Sequence, residues 1–137
     1  MFKKPSKEEL NRKLSDCNAS IDRLELRLKN WLTKEGTINE KFFNDKKLNM
    51  EYKLSGLKGQ NEMLSRMSSG LFDFNPEMVT KTYNLLTKKF MQADRKHSEF
   101  RDVKNIEEAE RHIKASCYER GQRHVLFEFG YDYKLEK

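Results

Sequence analysis

The chain is poor in the residues that staple, break or anchor a polypeptide. Two cysteines in 137 residues cannot make a disulfide framework, and Cys17 and Cys117 both fall on apolar positions of helical patterns, where a thiol is a small buried hydrophobe. Two prolines and six glycines leave long stretches in which nothing interrupts a helix. No window holds the ~18 apolar residues of a membrane span, and the opening Met-Phe-Lys-Lys-Pro-Ser lacks the apolar run of a signal peptide. The expectation is an intracellular, cytoplasmic protein with no membrane partner.

Sets of reactive residues are also missing. There is no glycine-rich phosphate loop, no Cys-x-x-Cys pair and no His-Glu-x-x-His helix. His97, His112 and His124 stand apart from one another, and the carboxylates are scattered. Glu108 and His112 are four apart on one helix face and could share a metal, but exposed pairs at that spacing are ordinarily solvated. No catalytic residue, cofactor or metal is therefore expected, and the protein reads as non-enzymatic.

Charge and helical periodicity are plentiful. Charged and hydrophobic residues each make up 36% of the chain, and 28 basic against 22 acidic side chains give a net +6. With clear periodicity, that balance implies long solvated helices rather than disorder. Residues 1–70 carry 15 basic and 10 acidic side chains, so most of the excess sits in the first half. Lysine exceeds arginine 19 to 9 and asparagine reaches 10, a bias that fits an A/T-rich genome, as in many bacteria and phages.

The fold class read from this pattern is mainly α. A long antiparallel helical hairpin of coiled-coil type spans 1–70, and a helical lobe with a C-terminal β-strand spans 71–137, the two forming one continuous fold. In the first helix Leu10, Leu14, Cys17, Ile21, Leu24, Leu28 and Trp31 alternate spacings of four and three. In the second, Phe43, Lys47, Met50, Leu54, Leu57, Asn61 and Leu64 repeat that spacing, with two polar residues on the seam. Folding about Glu35 and Gly36 would pair Ile21 with Met50, Cys17 with Leu54 and Leu14 with Leu57. Ser6 with Glu9, Thr37 with Glu40 and Asn105 with Glu108 have the spacing of capping boxes. Asn75 with Pro76 starts a third helix, whose apolar positions Val79, Tyr83, Leu86, Phe90, Ala93, His97 and Phe100 suit a bundle. Gly56 and Gly59 lie inside the second helix, where each costs about 1 kcal/mol relative to alanine. They imply either a close backbone neighbour or a bend. Gly121 is expected to end the fourth helix, after which Val125, Phe127, Phe129, Tyr131 and Tyr133 alternate as a strand would. Such a strand needs a partner edge, either Leu71 to Phe74 or another molecule.

Two functions follow from this architecture. One is a small interaction or assembly protein that binds a protein partner or self-associates, through the hairpin tip (Trp31, Leu32, Ile38, Phe42) and the terminal strand (Phe127, Phe129, Tyr131). The alternative is a sequence-tolerant nucleic-acid-binding accessory protein. Its basic rows would be Lys81, Lys88, Lys89, Arg95 and Lys96 on the third helix, with Arg120 and Arg123 on the fourth.

Overall fold

The computed structural model describes residues 4–32, 40–72 and 74–129, without the side chains at 32 and 40–45. Four helices account for nearly all of them: α1 (Lys7–Leu32), α2 (Glu40–Ser68), α3 (Pro76–Asp102) and α4 (Ile106–Glu128). Local chemistry sets their ends. The Ser6 hydroxyl accepts from the Glu9 amide at 3.1 Å, Asn75 from Glu77 at 2.8 Å, and Asn105 from Glu108 at 3.3 Å. Each satisfies an amide that the first helical turn leaves without a partner. Gly70 adopts a φ of 82°, which lets the Leu71 amide turn back to the Arg66 carbonyl at 3.0 Å and close α2. The Thr37–Glu40 box and the turn at Glu35 and Gly36 lie outside the described residues, as do Ile38 and Tyr131.

In space the helices are ordered α1, α2, α4, α3: α1 packs on α2, α2 on α4, and α4 on α3. The first pair is antiparallel, but its register differs from the expected one. Asn61 donates to the Asn18 side chain, Ser68 to Asn11 at 2.7 Å, and the Cys17 thiol to the Leu57 carbonyl at 3.3 Å. Cys17 therefore lies level with Asn61 rather than with Leu54, a displacement of about one heptad. A heptad pattern is unchanged by a slip of seven residues, so apolar spacing cannot choose between these registers. The polar bonds along the seam do.

All four helices contribute to one apolar cluster. Leu10 and Cys17 from α1 meet Met63, Leu64 and Met67 from α2, Val79, Tyr83 and Leu86 from α3, and Val125 and Leu126 from α4, closed by Phe72 and Phe129. Two buried polar side chains are accounted for. Ser116 donates to Asp94 at 2.5 Å across the α3–α4 contact, and Gln122 donates to Glu119 at 3.3 Å.

The chain after Gly121 departs from the strand expectation. Gly121 is buried inside α4, which continues to Glu128, and no strand occurs among the described residues. Leu71, Phe72 and Phe74 are not strand either. Val125, Leu126 and Phe129 are buried while Phe127 is 57% exposed. The spacing that fits the core is thus i, i+1, i+4, the helical one, and packing against three other helices outweighs the local alternation.

Gly59 and Gly121 mark where α2 and α4 cross. A Cβ on Gly59 would overlap the Tyr118 carbonyl, and one on Gly121 the Gly56 carbonyl, with carbonyl carbons at 2.9 Å in both cases. The two backbones touch there, so the question posed by glycines inside α2 is answered by a close neighbour.

Candidate functional site

Because α2 and α3 both pack on α4 but not on each other, a groove stays open between them with α4 as its floor. Its volume is about 720 Å³. From α2 come Tyr52, Lys53, Gly56 and Gln60, from α3 Tyr83, and from α4 Cys117, Arg120, Gly121, Arg123, His124 and Phe127. The glycine crossing draws the α2 wall against this floor, setting Lys53 across from the α4 cations.

Lys53 also borders two further recesses, between α2 and α1. One, of about 220 Å³, is lined by Ser20, Arg23, Leu24, Arg27 and Leu57 as well. The next, of about 420 Å³, adds Asn30, Trp31, Lys46, Asn49 and Met50. No carboxylate among the described residues lines any of the three. Six lysine and arginine side chains and His124 do.

Some of these groups are partnered. Arg120 pairs with Asp94 at 2.5 Å and donates to Ser116 at 3.2 Å, which fixes its guanidinium over the Phe90 ring at 4.6 Å. His124 reaches Glu128 at 2.7 Å, one turn along α4. Among the described residues Arg23 bonds only the Ser20 hydroxyl, at 3.2 Å. Arg123 is half-buried with no carboxylate beside it among the described residues. It stacks on Phe90 at 4.3 Å and Tyr83 at 5.3 Å, and donates to the Thr87 hydroxyl at 3.2 Å. Arg27 and Lys53 have no ion-pair partner among the described residues either. Burial raises the pKa of Cys117, with Arg120 opposing, and burial likewise raises that of Tyr52. Both groups stay neutral near pH 7 and subtract nothing from the positive charge. A concave surface lined by one sign of charge concentrates the field and draws in counter-ions.

The residues expected to carry function are divided by the structure. Arg120 and Arg123 line the groove. Lys81, Lys88, Lys89, Arg95 and Lys96 are exposed outside it; Lys81, Lys88 and Arg95 recur along the side of α3 turned away from buried Val79, Leu86 and Ala93. Trp31 borders the far recess beside Lys46, and Phe127 borders the main groove. Phe129 is buried against the core with Lys13 over its ring at 5.5 Å, so it is not available to a partner. Ile38, Tyr131 and the side chains of Leu32 and Phe42 lie outside the described residues.

Reactive groups elsewhere are engaged in structure. His97 Nδ1 lies 2.9 Å from the Ala109 carbonyl, and His112 stacks on Phe100 at 5.3 Å. Glu108 is 3.8 Å from His112 but 2.7 Å from Arg111, whose hydrogen bond holds its carboxyl below the usual range. No group of three metal-ligating side chains occurs among the described residues, and no helix among them is long and apolar enough to cross a membrane. No protein-family model, curated protein or solved structure matches the chain.

Arg23, Arg27, Lys46 and Lys53 were not singled out by sequence reasoning. Their signal was present but faint: Arg23 and Arg27 are four apart on α1, and Lys46 and Lys53 seven apart on α2, so each pair shares a face. Only the packing of α1 on α2 brings the two pairs to one cleft.

Proposed function

We propose that the chain is a non-enzymatic binding protein that holds a nucleic-acid backbone, without reading its sequence, along the cleft that passes Lys53. The observation that carries this reading is the set of three recesses that share Lys53 and are lined, among the described residues, by Arg23, Arg27, Lys46, Lys53, Arg120, Arg123 and His124 and by no carboxylate. From Lys46 to Gln60 they follow about 21 Å of α2 at 1.5 Å per residue. Cations spread over that length match a repeating polyanion better than a single small anion. Aromatic rings at Trp31, Tyr52, Tyr83 and Phe127 are interleaved with them, as in surfaces that hold bases as well as phosphates. No base-reading motif accompanies the cations, which is why the binding is proposed to be sequence-tolerant. Protein docking through the hairpin tip and the chain's end has less in its favour, because Phe129 is buried and Val125 to Glu128 is helix.

Salt dependence tests the reading. Anisotropy titrations of labelled oligonucleotides across a salt series should give a steep loss of affinity, since phosphate contacts release counter-ions. Replacing Arg23, Arg27 and Lys53 together by glutamine should reduce the slope of log K against log salt by about 2 to 3. The same change at Lys81, Lys88 and Arg95 should leave the slope alone. Absence of binding to DNA or RNA at about 50 mM salt sinks the proposal, as does a slope that responds only to the outer row.

A further inference from the structure

Resting on that reading, we infer that the cleft takes a single strand in preference to a duplex, with phosphates against Arg27, Lys53 and Arg123 and a base stacked on Phe127. Two independent features of the cleft favour one strand.

The first is size. Arg123 is half-buried, held against Phe90 and Tyr83 and tied to Thr87, which keeps its guanidinium at the wall of the groove instead of reaching out into solvent. At about 720 Å³ the groove is the size of a small-molecule pocket, roughly 300 to 1,000 Å³. One strand can lay both its backbone and its own bases in a space of that size. A duplex carries a second strand that has to stay outside it.

The second is the exposed ring. Phe127 is 57% exposed at the edge of the same groove, one helical turn from Arg123 on α4, while its neighbours Val125, Leu126 and Phe129 fill the core. Among the described residues no hydrogen bond, ion pair or ring contact engages that ring. Base faces are hidden inside a duplex and open in a single strand, so a ring beside the groove's cations has something to bind only when the bases are unstacked. Trp31 stands at the other end of the cleft and is the chain's single tryptophan. Its emission therefore reports on occupancy there.

The experiment titrates the full chain with oligothymidine of about 12 nucleotides and with a duplex of equal length, following anisotropy and Trp31 fluorescence. The single strand should bind at least about 10-fold more tightly and quench Trp31. Phe127→Ala should weaken single-strand binding by about 5- to 100-fold without changing the salt slope, because stacking releases no counter-ions, and should leave duplex binding as it was. Circular dichroism checks that the variant remains helical, and the strand-to-duplex ratio of the unaltered protein stands as a readout that needs no variant. Duplex binding as tight as single-strand binding, with a slope still sensitive to Arg23, Arg27 and Lys53, overturns the single-strand inference and leaves the proposed function in place. Binding of neither nucleic acid overturns both. Equal affinity for polyglutamate or for phosphatidylserine vesicles, dependent on the same three residues, also overturns the inference by making the cleft an undiscriminating anion site.

Discussion

Helix α2 makes its two long contacts at different separations. Against α1 it uses side chains, an apolar seam held in register by the Asn61–Asn18 and Ser68–Asn11 hydrogen bonds. Against α4 it adds to its side chains a direct backbone contact, at Gly59 and Gly121, where a single methyl group on either glycine would collide with a carbonyl. The seam can absorb a changed side chain by rotamer and volume adjustment. The crossing cannot, because main-chain atoms of two regular helices have nowhere to move. The proposed cleft depends on both, since Lys53 faces α4 on one side and the α1 cations on the other. The distance across its main groove is set by the glycines.

The sharpest way to break this comparison is at the crossing. Gly59→Ala and Gly121→Ala should each lower stability by about 3 kcal/mol or more, at or beyond the upper end of ordinary overpacking, a large share of the ~5 to 15 kcal/mol typical of a domain. Gly56→Ala is the internal control. A Cβ there would sit 3.7 Å from the Cys117 carbonyl, an ordinary contact, so the helix propensity of alanine should raise stability by up to about 1 kcal/mol. Urea unfolding followed by circular dichroism separates the three, and equal shifts in all of them would mean that α2 and α4 do not touch as described.

The seam should respond more mildly. Asn61→Ala removes the bond to Asn18 and should cost about 1 kcal/mol. Its register can be read directly by cross-linking. With Cys17 in place, Asn61→Cys should oxidise to a disulfide at monomer mass, whereas Leu54→Cys should not, because only facing positions bring β-carbons close enough. Preferential cross-linking by Leu54→Cys would move the seam back by one heptad.

The smallest expected effect lies at Glu119, on α4. Burial raises its pKa, with Lys89 opposing, so the folded state binds its proton more tightly than the unfolded chain does. Stability therefore falls as pH rises from the unfolded value, about 4.3, through the folded one, and above that window the carboxylate is a net cost. Glu119→Gln should raise the urea midpoint slightly at pH 7, with the gain vanishing below the unfolded value. A gain that persisted unchanged into acid would assign it to packing instead of ionisation.

Helix starts were legible because capping is local. Ser6, Asn75 and Asn105 each accept from an amide two or three residues away, and no other part of the chain is needed to satisfy them. The end of α4 was not legible. Val125, Phe127 and Phe129 alternate as strand residues do, while Val125, Leu126 and Phe129 also fit a helix, and both patterns are present in the same five residues. Gly121 misled for a related reason. A glycine that ends a helix and one that admits a neighbouring backbone look alike until the neighbour is in view. Of the proposed cleft, Arg120 and Arg123 were noticed. Arg23, Arg27, Lys46 and Lys53 were not, because each pair taken alone is what any solvated helix face carries.

The sequence by itself determined that this protein is built of helices, where most of them begin, and which positions are apolar, since these depend on hydrogen bonds and spacings within a turn or two of the chain. Tertiary structure decided the register of α1 on α2, the continuation of α4 past Gly121 and the gathering of cations from three helices at recesses that share Lys53. Those outcomes rest on contacts between residues tens of positions apart. A heptad repeat is silent on slips of seven, a glycine carries no mark of its neighbour, and charges converge only once the helices that bear them have packed.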